Sequence, residues 1–244
     1  MVRGFYQLGS GMLTGNEILN TISNNIANCK TNGYKKQVTL GSTFEEMMLG
    51  RIDHDGIEDV GNTYMATVVD EHATLHTQGA LDPTGRNLDF AIIGEGFFAV
   101  QREGGVEYTR NGSFNIDAEG YLVDAQGSRV LNDVGADIYI GQSDFNCNSG
   151  GYITVGGRTE RLGVYNFDDY NAITETSDGY YTGNGAALMN NATIRWKTVE
   201  SSNVDMAEEM VDAIAAQRNF QSCSQALNMY SEVLDSAVNQ LGKI

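Results

Sequence analysis

Residues 201–241 carry an apolar pattern with the spacing of an amphipathic helix and contain no proline. Only three positions of this pattern, Gln217, Ser224 and Ser231, are polar. A flanking stripe that includes Ile214 widens the apolar face, and Ser202 with Asp205 predicts the start of the helix. The apolar positions of the pattern are Met206, Met210, Ala213, Phe220, Leu227, Leu234, Val238 and Leu241. With the three polar positions included, the spacing alternates between four and three residues. The pattern predicts a helix roughly 55 Å long whose apolar face needs partners.

The first 30 residues repeat this pattern and predict a second amphipathic helix. Asn32-Gly33 is the predicted stop, because glycine tolerates the left-handed conformation of a helix cap. The apolar positions are Phe5, Leu8, Met12, Gly15, Leu19, Ile22 and Ile26. If the two helices pair in antiparallel directions, three basic residues near the end of the first fall beside four acidic residues near the start of the second. These are Lys30, Lys35 and Lys36, and Asp205, Glu208, Glu209 and Asp212.

The middle of the chain has a different pattern. Phe44–Leu49 predicts a short helix, Arg51–Gly61 a polar loop, and the β-branched run Thr63–Thr77 a strand. In residues 84–195, short alternating segments separated by glycine turns predict an antiparallel β domain. Phe97–Arg102 and Val106–Arg110 form its first predicted hairpin.

Together these elements predict an α+β protein with a discontinuous helical domain. Residues 1–36 and 201–244 form a terminal assembly domain of long, coiled-coil-like helices. Residues 37–83 and 196–200 form an extended connector, and residues 84–195 form a central, mainly antiparallel β domain. An intramolecular helical hairpin packed on a globular domain is the alternative.

Composition and charge exclude several classes of function. The net charge of −17 argues against binding to nucleic acid or to an anionic membrane surface. The three cysteines are far apart and lack metal-ligand spacing, so we expect three free thiols. Polar residues interrupt any secretory signal in the first 25 residues, which predicts export, if any, without a cleaved signal.

Two local motifs suggest chemistry but have simpler explanations. Gly94-Glu95-Gly96-Phe97-Phe98-Ala99 follows a predicted strand and matches a dinucleotide-binding fingerprint. Glycines at 104 and 105 prevent the helix that this site requires, so we predict a turn between strands. His72 and His76 are four residues apart without a third ligand, which favours a solvated strand face over a metal site.

Three ordered motifs resemble the bacterial flagellar rod and hook family. The first runs from Ile22-Ser23-Asn24-Asn25-Ile26-Ala27-Asn28 to Tyr34-Lys35. The second begins at Gln78-Gly79-Ala80-Leu81 and continues through Tyr108-Thr109-Arg110-Asn111-Gly112-Ser113-Phe114 to Gly120-Tyr121-Leu122-Val123. The third is Glu200-Ser201-Ser202-Asn203-Val204-Asp205, with Gln217-Arg218 beyond it.

The resemblance implies a structural subunit of the flagellar basal-body rod, the shaft that joins motor to hook. It implies self-assembly through the terminal helices, export by the flagellum-specific apparatus, and neighbours that are copies of this chain and other rod and hook-basal-body proteins. It implies no catalysis, no cofactor, no metal, no nucleic acid and no small-molecule substrate. The lengths of residues 44–51 and 51–64 resemble a proximal rod subunit, with a distal rod protein as the close alternative.

The expected assembly interface consists of the apolar positions of both helices. These are Leu8, Met12, Leu19, Ile22, Ile26, Met206, Met210, Ile214, Phe220, Leu227, Leu234, Val238 and Leu241. Two other functions remain open from the residues alone. One is a surface adhesin or capping protein anchored by its terminal helices, and the other is a nucleotide-binding enzyme that uses the Gly94–Gly96 turn.

Overall fold

The computed structural model describes residues 2–53, 56–102, 104–141, 145–176 and 179–241. The chain divides into two compact units. The first, called here the helical unit, contains Met1–Ala27, Gln37–Thr74 and Asp205–Ile244. The second, the central unit, contains Asn28–Lys36 and Leu75–Val204. Within the described ranges, neither helix combines the length and the hydropathy that crossing a membrane requires.

Two long helices pair in antiparallel directions in the helical unit. Helix α1 spans Val2–Ala27 and helix α2 spans Met206–Leu241. Along their contact, Gly4 lies against Tyr230, Gly11 against Cys223 and Gly15 against Phe220. The numbers rise along α1 as they fall along α2, which establishes the antiparallel direction.

The ends of both helices differ in detail from the predicted ones. Helix α1 ends at Ala27, six residues before Gly33. Gly33 does have a left-handed φ of 72°, but it belongs to the central unit, where a Cβ would collide with the backbone of Arg110. Helix α2 begins after Asp205, whose carboxylate accepts a hydrogen bond of 2.8 Å from the Ala207 amide. Asp205 is therefore the N-cap, and Ser202 lies outside the helix.

The helical unit also contains a long β-hairpin where a connector was predicted. Strand β1 spans Gln37–Asp53 and pairs antiparallel with β2, Gly56–Thr74. The predicted helix at Phe44–Leu49 and most of the predicted loop at Arg51–Gly61 are therefore wrong, because cross-strand pairing overrides local propensity there. The register shifts at Leu40/Gly41 and Leu49/Gly50, where glycines permit bulges. His54 and Asp55, at the predicted acidic loop tip, lie outside the described residues.

The central unit is built from short antiparallel strands, as predicted. The strands are β3 (Leu81–Pro83), β4 (Phe90–Ile93), β5 (Phe97–Arg102), β6 (Gly105–Thr109), β7 (Asn115–Ile116), β8 (Leu122–Val123), β9 (Arg129–Val130), β10 (Asn146–Cys147), β11 (Tyr152–Val155), β12 (Arg158–Arg161), β13 (Val164–Asn166), β14 (Thr174–Glu175), β15 (Tyr180–Thr182), β16 (Ala187–Leu188), β17 (Thr193–Trp196) and β18 (Thr198–Glu200). A short 3₁₀ turn covers Tyr170–Ala172.

Strand β5 organises the largest sheet, whose order is β14-β15-β6-β5-β9-β8-β7. The predicted hairpin β5–β6 is confirmed, and β7 pairs antiparallel with β8. Strand β4 pairs with β17, and β3 pairs with β18. Asp137 and Tyr139 form only isolated bridges, with Leu131 and Tyr121. Buried apolar side chains from β4, β5, β8, β13 and β17 form one core, which includes Phe90, Phe98, Phe114, Leu122 and Ile194.

Candidate assembly surface and its anchoring residues

Glycines on α1 allow the two helices to approach closely. A Cβ built at Gly4 would lie 3.2 Å from the hydroxyl oxygen of Tyr230. At Gly11 the nearest atom would be Sγ of Cys223 at 3.5 Å, and at Gly15 it would be Cβ of Phe220 at 3.8 Å. Side chains of α2 therefore lie over positions of α1 that have none. Gly15, which weakens the apolar pattern of the sequence, is a packing position in the folded pair.

The predicted interface residues separate into inner and outer positions. Ile22 is buried, and Leu8, Met12, Leu19, Ile26, Phe220, Leu227 and Leu234 are half-buried. Met206, Met210, Ile214 and Val238 are exposed. The side chain of Leu241 lies outside the described residues. Along the first half of α2, Glu209 and Ala216 are the buried positions, and neither belongs to the predicted seam, so the inner face is rotated from that seam.

Several large apolar side chains of the helical unit face solvent. On α1, Tyr6 is 63% and Leu13 71% exposed. They line an open groove of about 690 Å³ together with Phe5, Met12 and Phe220. Contiguous exposed apolar surface of this kind marks a site of interaction.

Asn25 anchors the hairpin to the helix pair. Its side-chain amide donates to the Gln37 carbonyl at 2.9 Å, and its carbonyl accepts from the Gln37 amide at 3.0 Å. The same amide group donates to Oε2 of Glu209 at 3.1 Å. Asn25 and Glu209 are both buried, so one side chain joins α1, β1 and α2.

A buried ionic cluster holds the segments of the central unit that lead to the two helices. Nζ of Lys35 lies 2.5 Å from Oε1 of Glu200, and a guanidinium nitrogen of Arg110 lies 3.2 Å from Oε2. The exposed fractions of these side chains are 0%, 1% and 2% for Lys35, Glu200 and Arg110. Burial is the main cause that lowers the pKa of Lys35, and the charge of Glu200 opposes it.

Backbone groups complete this cluster and bring the two segments side by side. Lys35 also donates to the Thr77 carbonyl at 2.8 Å, and the Gly79 amide donates to Glu200 at 3.0 Å. The Gly33 amide donates to the Glu200 carbonyl at 2.7 Å. Asn203 accepts from the Lys36 amide at 2.7 Å through its side chain. Residues 33–36 and 200–203 are thereby fixed against each other.

His76 lies beside this cluster in an aromatic environment. Its ring centroid is 4.9 Å from that of Tyr170, 5.4 Å from Tyr181 and 5.7 Å from Phe97. Burial, with the nearby charges of Lys35 and Arg110, lowers the pKa of His76 to about 4. His76 follows β2, which ends at Thr74, so the prediction that it shares a solvated strand face with His72 is wrong.

Similarity to known proteins decides the family. Residues 91–155 match a model of the flagellar hook protein FlgE/F/G D1 domain, and residues 197–241 match the C-terminal model of the flagellar basal body rod FlgEFG proteins. The chain is 31% identical to the flagellar basal-body rod protein FlgG of Bacillus subtilis, over 98% of this chain and 99% of that one. The chain belongs to the flagellar basal-body rod protein family. It is 32% identical to FlgF of Caulobacter vibrioides, with 96% of each chain covered, and 27% identical to the flagellar hook-basal body complex protein FlhO of B. subtilis over the full length of both.

In this rod-family chain, the three motifs of the sequence meet in the ionic cluster. The first contributes Lys35, the second Arg110 and the third Glu200. Sequence reasoning placed Lys35 beside the acidic start of α2, and this is wrong, because its ammonium group binds Glu200 and Thr77. The motifs contain other charged residues, such as Asp89 and Asp205, so no signal in the sequence singles out these three.

The second rod-family motif also contains a buried carboxylate that supports the β core. Asp89 accepts hydrogen bonds from Thr84 at 2.6 Å, from Ser113 at 3.2 Å and from Arg86 at 3.2 Å. At Gly112, a Cβ would lie 1.6 Å from the Phe90 carbonyl oxygen, so only glycine fits. These residues have structural partners that explain their presence in the motif.

The glycine motif at Gly94–Gly96 joins two strands, as predicted. Gly94 and Gly96 have φ values of 91° and 112°, and strand β5 follows at Phe97. A dinucleotide site of this type requires the start of a helix at that point. The arrangement therefore lacks the helix N-terminus that would bind a pyrophosphate. All three cysteines are free, as the sequence predicted.

Proposed function

We propose that this chain is a subunit of the flagellar basal-body rod that assembles through its terminal helices into a helical shaft between motor and hook. The observation that carries the proposal is the exposed apolar surface of the helix pair. Met206, Met210 and Ile214 are exposed in the single chain although they form one side of a helix. An apolar stripe of this kind is stabilised when a neighbouring subunit covers it, at about 25 cal/mol per Å² of buried apolar surface.

The neighbours in this proposal are copies of the chain and other rod and hook-basal-body proteins. The subunits would reach the basal body through the flagellar export apparatus without cleavage of a signal peptide. The role is structural and not catalytic. The names of the relatives support a rod component, and the proximal position stays a prediction from the length of the segment that forms the β1–β2 hairpin.

The experiment places a charge on the exposed stripe without disturbing the single chain. Ile214→Asp should give a soluble subunit with wild-type thermal unfolding, because the side chain is 53% exposed. In cells that carry only this variant, we expect no complete rods and no motility, since burial of an unpaired carboxylate costs several kcal/mol.

Ala215→Asp is the matched control, because it adds the same charge at the next, also exposed position of the same helical turn. It should support rod assembly and swimming. Normal motility of the Ile214→Asp strain would refute assembly through this stripe. Complete rods in cells that lack the chain altogether would instead favour the surface adhesin or capping protein.

A further inference from the structure

Three asparagine–glycine pairs of the chain are held by the fold to different degrees. They are Asn32-Gly33, Asn111-Gly112 and Asn184-Gly185. Asparagine before glycine is the dipeptide that loses its side-chain amide most readily, because glycine has no side chain to shield its backbone nitrogen or to restrict its rotation. The reaction consumes only water, so the structure around each pair decides whether it reacts.

The attacking nitrogen of the first pair is already engaged in the fold. The Gly33 amide donates a hydrogen bond to the Glu200 carbonyl at 2.7 Å. Gly33 is buried, and a Cβ at this position would lie 2.4 Å from the carbonyl carbon of Arg110. Asn32 can therefore react only after this part of the central unit has opened.

Both residues of the second pair are held. The side-chain carbonyl of Asn111 accepts a hydrogen bond from the Ser113 amide at 3.0 Å. Gly112 is buried, and its carbonyl accepts from the Phe90 amide at 2.9 Å. Attack on the side-chain amide requires rotation about bonds of both residues, and these contacts oppose that rotation.

The third pair has no such restraint. Asn184 and Gly185 lie in the loop between β15 and β16, and both are exposed. Within the described ranges of the chain, neither residue takes part in a hydrogen bond, and a Cβ at Gly185 would meet nothing within 4 Å. We propose that Asn184 is a site of spontaneous deamidation in the folded chain, and that Asn32 and Asn111 are protected from this reaction.

The reaction joins the backbone of Gly185 to the side chain of Asn184. The Gly185 nitrogen attacks Cγ of Asn184 and loses its proton to water. The bond between Cγ and the side-chain nitrogen breaks, and that nitrogen takes up a proton and leaves as ammonia. Water then opens either carbonyl group of the resulting cyclic succinimide, which yields aspartate or isoaspartate. In total, one water molecule is consumed and one ammonia molecule is released.

The modified loop is connected to a packed part of the central unit. Isoaspartate at position 184 places an additional carbon atom in the backbone. Ala186, two residues further on, packs against a buried aromatic cluster that includes Phe97 and Phe167. On the other side, a Cβ at Gly183 would lie 3.0 Å from the ring of Phe167. The longer backbone of isoaspartate therefore strains this packing, whereas aspartate adds only an exposed charge. The inference concerns the single chain and does not depend on the proposed function.

Peptide mass spectrometry of the full-length chain, incubated at mildly alkaline pH, measures the conversion at each asparagine. We expect the folded chain to convert Asn184 at least about tenfold faster than Asn32 or Asn111, since these two react only after local opening. In concentrated urea, the three rates should agree within about threefold, because glycine follows each asparagine and the fold no longer distinguishes them. Comparable rates in the folded chain would overturn the proposal, and so would a difference that persists in urea.

Asn184→Gln and Asn191→Gln form a matched pair of variants. Both asparagines are exposed, but Asn191 precedes alanine and not glycine. Asn184→Gln should remove most of the ammonia that the folded chain releases, together with most of the isoaspartate that an isoaspartyl methyltransferase labels. Asn191→Gln should leave both quantities unchanged. Undiminished ammonia release from Asn184→Gln would place the reaction at another residue and refute the assignment.

Discussion

Replacement of Glu200 by glutamine should destabilise the central unit severely. The carboxylate of Glu200 is the acidic partner of Lys35 and Arg110, and all three side chains are essentially inaccessible to solvent. Glu200→Gln keeps the size of the side chain but leaves two buried cations without this counter-charge. Loss of one partner of a buried ion pair costs roughly 3–5 kcal/mol, which is a large part of the 5–15 kcal/mol that holds a typical domain folded.

Urea unfolding followed by tryptophan fluorescence measures this effect in the correct unit. Trp196 is the only tryptophan of the chain and lies on β17. Its indole nitrogen donates to the Asn87 carbonyl at 2.7 Å, and its ring lies 5.9 Å from that of Phe145. Both contacts belong to the central unit, so the fluorescence change reports on its unfolding.

Glu107→Gln is the matched control, because Glu107 also forms a salt bridge, in which its Oε2 lies 2.8 Å from a guanidinium nitrogen of Arg102. The exposed fractions of that pair are 12% for Glu107 and 25% for Arg102, so water screens it and the cost should be about 1 kcal/mol or less. Lys35→Met in the Glu200→Gln background should recover more than about 1 kcal/mol, because it removes one of the two uncompensated cations. Equal unfolding free energies for Glu200→Gln and Glu107→Gln would refute the reasoning.

Three further predictions follow from the contacts. The pKa of His76 is about 4 in the folded chain and about 6.5 in the unfolded chain, so the unfolded state binds more protons between these two pH values. The free energy of unfolding should therefore fall by up to about 3 kcal/mol as the pH drops from 6.5 to 4. Urea titrations at each pH measure this dependence, which His76→Phe should flatten. Gly15→Leu should separate the helices and lower the helical signal in circular dichroism, because Phe220 lies over Gly15. Gly9→Leu should keep the helical signal, since a Cβ at Gly9 meets nothing within 4 Å. Equal loss of signal in both variants would contradict the described packing. Asp205→Ala should destabilise the start of α2 by about 1 kcal/mol through loss of its cap, seen as faster amide exchange in residues 207–209, while Ser202→Ala should leave that exchange unchanged.

The helices and the β region could be predicted because their patterns are long and local. The apolar period of α2 continues over its 36 residues, and no proline or glycine interrupts it. The strands of the central unit are bounded by glycines such as Gly120 and Gly127, both with positive φ. Such signals depend on neighbours in sequence, which is the information that periodicity contains.

The β1–β2 hairpin could not be predicted in the same way. Phe44–Leu49 contains glutamate, methionine and leucine, which favour helices in isolation. Their state depends on partners that are distant in the sequence, such as Ala66 opposite Phe44 and Tyr64 opposite Glu46. Strand pairing of this kind is a tertiary property, so a window of six residues gives the wrong answer.

The inner face of α2 shows a different difficulty. The strongest apolar residues at its start, Met206 and Met210, face solvent, while Glu209 and Ala216 are buried. Apolar periodicity assigns the largest hydrophobic residues to the inside, but close helix packing here uses small residues together with an acid that Asn25 hydrogen-bonds. A pattern based on hydrophobicity cannot distinguish the contact inside one chain from a contact between chains, because both select apolar side chains.

The ionic cluster explains why the motifs are specific without being catalytic. A charged side chain is buried only where an opposite charge is in position, so Lys35 and Arg110 both require Glu200, which also offsets the repulsion between the two cations. Their positions are 75 and 90 residues apart in the chain, and no local pattern connects them. From charge alone, the sequence predicts that Lys35 pairs with the four acids near the start of α2. This prediction is not specific, since surface charges have many possible partners of similar energy. In the buried cluster one carboxylate pairs with both cations, and this pairing holds together the two segments that lead to the helices.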